Sequence, residues 1–143
     1  MLTNKEKVAK YKLIARDALR MDLIKNRQTK IADIEAKIKD TTDCKADYEL
    51  DLKTENYEIS KLDTAHPKYD KMKAVKEETV KILTETIKEH DEALVKLEEE
   101  KKEQVDAITK IEAGETKVSI DALNDLVSKM IEQDALNGVS RVE

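Results

Sequence analysis

Two histidines and one cysteine are the side chains from which catalysis or metal binding would have to start in this 143-residue chain. His90 sits in the run Glu89-His90-Asp91-Glu92, four residue types that ligate metals. A helical metal site needs its ligands three or four residues apart so that they share a face, whereas four consecutive residues point around the helix. His66 precedes Pro67 and reads as a turn residue. Cys44 is alone, which rules out an intramolecular disulfide and leaves no thiolate set for zinc, so a buried or half-exposed bystander thiol is expected. The chain has no glycine-rich phosphate loop, no serine, cysteine or histidine constellation and no carboxylate pair suited to a pocket. The expectation is a protein without metal or cofactor, and not an enzyme.

Charge offers a second kind of chemistry. The net charge is −5, yet residues 1–30 hold nine Lys or Arg against three acids. Lys5, Lys7, Lys10, Lys12, Arg16, Arg20 and Arg27 are therefore the candidate partner-binding residues, a basic face able to engage phosphate or an acidic protein surface. The competing use is internal, with the same cations attracting Glu98, Glu99, Glu100 and Glu103 further along the chain. Nucleic acid is weakly supported, because only Tyr11 lies in the basic segment and single strands need a stacking platform. Membrane-surface binding is weaker still without Trp or Phe.

The elements that would carry these residues follow from a seven-residue apolar rhythm held from Ile24 to Ile111. One stripe position carries Ile24, Ile31, Ile38, Leu52, Ile59, Val80, Ile87, Leu94 and Ile108. The position three residues later carries Ile34, Tyr48, Leu62, Tyr69, Leu83, Leu97 and Ile111. A sustained heptad specifies long helices packed along a narrow seam. Polar residues interrupt it, and among them His90, Lys101 and Gln104 are the candidates for fixing register; Lys45, Glu55, Lys73 and Lys76 occupy the same seam. Two glycines, one proline and 41% charged residues fit long helices, and Leu, Ile and Val at about 24% exceed the roughly 20% below which chains stay disordered.

Helix one is predicted over residues 3–62, opened by a Thr3/Glu6 capping box, with Asp40-Thr41-Thr42-Asp43 as the place where it could break. A turn at 63–66 leads to helix two over 67–113, since proline is tolerated in a first turn and Gly114 supplies a left-handed end. Glu77/Lys81, Glu92/Lys96 and Glu98/Lys102 are expected to pair along its outer face. Helix three is predicted over 119–137, with Ile120, Leu123, Leu126, Val127, Met130 and Ile131 inward and residues 139–143 frayed. Between Val8 and Ile24 the apolar surface widens to Tyr11, Leu13, Ile14, Ala15, Ala18, Leu19, Met21 and Leu23, too broad for one neighbour.

The fold class is thus all-α: a long antiparallel coiled-coil helical hairpin whose short third C-terminal helix packs on the N-terminal end, as one elongated domain. This hairpin is favoured over a single helix kinked at Pro67, a kink costing roughly 3 kcal/mol. The function expected is that of a non-enzymatic coiled-coil structural or assembly protein, a scaffold or small virion component, acting through protein partners or self-association. The alternative is a small regulatory binder whose basic N-terminal helix contacts nucleic acid or an acidic protein. No apolar run reaches a membrane span, so the expected location is the cytoplasm or a particle assembled there.

Overall fold

The computed structural model describes residues 2–143 and is all-helical. Its elements are α1 (Asn4–Ser60), α2 (Tyr69–Glu112) and α3 (Ile120–Asn137). α1 and α2 pair as a helical hairpin and α3 packs on α1, the arrangement favoured from the sequence pattern.

Thr3 opens α1, its Oγ1 accepting from the Glu6 N–H at 3.2 Å. The helix then runs unbroken through Asp40-Thr41-Thr42-Asp43, contrary to the expected weak point. Thr41 lies on the seam, and Thr42 Oγ1 donates to the Ile38 carbonyl at 2.7 Å, so the polar side chains engage the helix without breaking it. Pro67 falls inside a turn, which excludes the single kinked helix and moves the start of α2 two residues later than predicted. Asp63 and His66 build that turn: Asp63 Oδ1 accepts from the Ala65 N–H at 2.9 Å and His66 Nδ1 from the Lys68 N–H at 3.0 Å. Proline has no N–H to satisfy and fits between them.

α2 closes on Gly114, with φ of 75°. The Gly114 N–H donates to the Ile111 carbonyl and the Glu115 N–H to the Lys110 carbonyl, both at 3.0 Å, which is a Schellman motif. Ser119 caps α3 by accepting from the Ala122 N–H at 3.4 Å, and Gly138 ends it with φ of 71°. The outer pairs predicted on α2 do not form among the described residues: Glu77 takes Lys73 instead, at 3.7 Å.

The chain divides into two compact units, one of Met1–Ile31 with Glu103–Glu143 and one of Ala32–Lys102. In the first, Tyr11, Ala15, Leu123, Val127, Met130 and Val142 form the core, with Ala18, Leu19 and Leu126 packed against it. Three expectations are corrected here. Ile120 is 74% exposed and Ile131 is also on the surface, so the inward face of α3 is narrower than predicted and continues instead to Asp134. Leu13, Ile14 and Met21 are likewise exposed. The final residues do not fray, because Val142 is only 5% exposed within this core.

The second unit is a paired stretch of α1 and α2. From Ile24 to Ile59 every α1 residue withdrawn from solvent is a seam residue of the heptad, and every other one is exposed. Burial is shallow, as expected of a helix with one neighbour; in this unit only Ile34 is buried among the described residues.

Candidate functional site

The candidate residues fall into two groups, the seam polar residues and the basic segment. In the Ala32–Lys102 unit, the cross-helix polar contacts run in antiparallel order. Glu35 pairs with Lys101 at 3.4 Å, Lys45 with Asp91 at 2.6 Å, and Lys76 with Glu55 at 3.6 Å and Glu58 at 2.5 Å. Hydrogen bonding to Asp91 raises the Lys45 pKa above its ordinary value, and Glu58 does the same for Lys76. Toward Glu35, Asp91 and Glu58 the ammonium reaches off the seam to an exposed carboxylate at its edge, whereas Glu55 is itself a half-buried seam residue.

His90 lies half-buried on the seam, edge-on to Tyr48 with ring centroids 5.2 Å apart. Its Nδ1 is 2.8 Å from the Thr86 carbonyl, a contact that requires the proton on Nδ1. The ring is thereby fixed by its own helix and by Tyr48. Of the acidic neighbours that suggested a metal, Asp91 is held by Lys45 and Glu89 and Glu92 are exposed. No group of three or more metal-ligating side chains gathers among the described residues. Cys44 is a free and exposed thiol, more open than expected.

In the other unit, Gln104 meets Arg27, whose Nη1 donates to its Oε1 at 3.0 Å. The seam residues Lys101 and Gln104 thus each acquire a cross-helix partner. Arg27 itself is half-buried in the seam.

The remaining basic residues are distributed over several sides of α1. Lys5, Lys12, Arg16 and Arg20 follow spacings of seven and four and share one side, whereas Lys7 and Lys10 lie off it. Lys7 is ion-paired with Glu143. Arg20 is half-buried, with its Nε unpartnered, and its guanidinium approaches Gly114. Lys5, Lys10 and Lys12 are exposed. Among the described residues, no ion pair joins Lys5, Lys10, Lys12, Arg16, Arg20 or Arg27 to an acid, including Glu98, Glu99, Glu100 and Glu103.

A third cluster was not legible from spacing. Tyr11 Oη donates to Asp134 Oδ2 at 2.6 Å, the Arg141 N–H donates to the same oxygen at 2.9 Å, and Arg141 Nε donates to Oδ1 at 2.8 Å. Asp134 is 7% exposed. The Arg141 backbone N–H and then the Tyr11 hydroxyl favour the carboxylate, holding the Asp134 pKa below its ordinary value. The bond to Asp134 raises that of Tyr11. An open groove of about 490 Å³ runs beside this cluster, lined in part by Val8, Ile131, Ala135 and Val139. Both Asp134 oxygens are engaged in binding the C-terminal tail, so the cluster is a clasp rather than an acid or base.

No protein-family model, no curated protein and no solved structure matches this chain. No helix among the described residues is long and apolar enough to cross a membrane.

Proposed function

We propose that this protein is a non-enzymatic coiled-coil assembly factor or scaffold that presents its helical surfaces to protein partners. The observation that supports the reading is the fate of its polar side chains. His90, Lys101 and Gln104 are engaged across the seam, and Asp134 across the clasp, all in contacts that set helix register or hold the tail. Affinity isolation of the chain from its native source, followed by light scattering of what is recovered, tests it. A stoichiometric protein complex or homo-oligomer is the expected result; a monomer with no partner and a turnover activity abolishes the reading.

A second reading is favoured by one observation: exposed Lys5, Lys10 and Lys12 have no acidic partner within the described chain. They remain available to an acidic protein surface or a phosphate backbone. Replacing the three by Gln keeps good helix formers and removes only charge. Partner affinity is expected to fall and its dependence on salt to flatten, as titration calorimetry would measure. An unchanged salt slope rejects this role for the basic segment.

A further inference from the structure

α1 and α2 withdraw faces of different width from solvent. Between Ile24 and Ile59, α1 withdraws only its two seam positions. On α2, Met72, Thr79 and Thr86, each one residue before a seam position, are half-buried as well. Val75 and Ile82 continue that second stripe at three- and four-residue spacing, yet remain 68% and 55% exposed. The threonine hydroxyls are already engaged, Thr79 Oγ1 donating to the Val75 carbonyl at 3.2 Å and Thr86 Oγ1 to the Ile82 carbonyl at 2.8 Å. What the stripe offers a neighbour is therefore chiefly hydrocarbon. A stripe beyond the seam that one partner helix covers calls for a second helix.

Charge identifies that second helix. Lys68 and Lys71 sit at one end of the stripe, lining an open hollow of about 330 Å³ with Met72, Val75 and Lys76. Glu85 and Glu89 sit at the other end. None of these four forms an ion pair among the described residues. We propose that the stripe from Lys68 to Glu89 is a self-docking surface that takes a second copy of this chain, α2 against α2 and antiparallel. Turned end for end about residues 78–79, the surface is its own complement. Val75 meets Ile82 of the second copy and Ile82 meets Val75, Thr79 meets Thr79, and Lys68 and Lys71 come opposite Glu89 and Glu85 at both ends. The charged ends lie about 30 Å apart along the helix, so a parallel mate would instead place lysine on lysine and glutamate on glutamate. Such a contact uses one patch twice and closes as a two-fold dimer. Beside the axis, where Thr79 meets its own copy without charge, Glu78 is the charged residue that approaches its own copy. The inference rests on the assembly reading above and supplies it with a partner.

Sedimentation of the full-length chain over a concentration series, with far-UV circular dichroism as the control on folding, tests it. The wild type is expected to dimerise. Val75→Lys with Ile82→Lys places like charges at facing positions and is expected to weaken the dimer by about a hundred-fold. Lys68→Glu with Lys71→Glu, and separately Glu85→Lys with Glu89→Lys, are each expected to weaken it by about ten-fold, the four changes together restoring it. Glu78→Gln is expected to tighten it. All these positions are exposed, so helicity should persist. A dimer indifferent to the stripe and charge-reversal variants overturns the α2 surface and leaves the assembly reading standing. A wild-type monomer at every concentration overturns the proposal, and if it also recovers no partner from its source, the assembly reading falls with it.

Discussion

Asp134 holds Arg141 through two hydrogen bonds and Tyr11 through a third, and its ionisation is therefore expected to govern whether the tail stays docked. Its folded-state pKa lies below the ordinary 3.8. The unfolded chain binds the proton first as pH falls, so the contribution is complete above about 3.8 and is lost as pH drops through the folded value. Tyr11 behaves oppositely, its folded pKa being raised above 10.0: its contribution is complete below that value and is lost as pH climbs through the folded one. Tail docking is thus expected to hold across the neutral range and weaken at both extremes. The Val142 methyl resonances, followed by NMR through an acid titration, should move toward random-coil positions in the wild type. In Asp134→Asn they should be displaced already at pH 7, with little further change in acid. Resonances that stay put in the variant would show that apolar packing alone holds the tail. That packing is itself measurable: Leu123, buried in the same core, should cost about 2–4 kcal/mol when cut to Ala, read by urea denaturation.

At the scale of elements, helix ends are decided by single residues, and Gly114 is the sharpest case. A Cβ there would meet nothing closer than Arg20 Nη2 at 4.0 Å, so there is room for Ala, and the cost arises from φ of 75° alone. Gly114→Ala is expected to destabilise by about 1 kcal/mol in urea melts, and Gly138→Ala, with nothing within 4 Å, by a similar amount. No loss at either site would mean that the turns relax freely. These ends were legible in the sequence because their chemistry is local, as was the seam, where the periodicity of α1 between Ile24 and Ile59 matches its burial residue for residue. Three features were not. Of the wide apolar stripe on α1, the core takes only Tyr11 and Ala15 as buried residues with Ala18 and Leu19 packed against it, so the stripe over-predicted burial and leaves Leu13 and Met21 in solvent. The inward face of α3 ends on a carboxylate, which hydropathy reads as surface. Val142 is followed by a single residue, Glu143, where fraying is the ordinary expectation, yet Arg141 beside it pairs with Asp134.

At the scale of the whole molecule, the two units differ in what stabilises them. Tyr11, Ala15, Ile111, Leu123, Val127, Met130 and Val142 are buried in the unit containing both termini, whereas Ile34 is the one buried hydrophobic residue described between Ala32 and Lys102. That second unit relies instead on half-buried seam residues and on cross-helix ion pairs whose side chains remain partly exposed, contacts that individually contribute little and that salt screens. Its local opening free energy should accordingly be the smaller. Hydrogen exchange followed by mass spectrometry should find amides of residues 40–58 and 72–95 exchanging faster than those of 10–20 and 122–132 in dilute protein. Raising the salt should widen the difference. Raising the protein concentration should narrow it, because a second copy seated on α2 protects the weaker unit and leaves the other untouched, and stabilisation by a bound partner grows with its concentration. Uniform exchange in both units would mean that the chain opens as one cooperative body and that shallow burial between Ala32 and Lys102 carries no penalty. A difference indifferent to concentration would assign the weakness to that unit while removing self-association as its remedy.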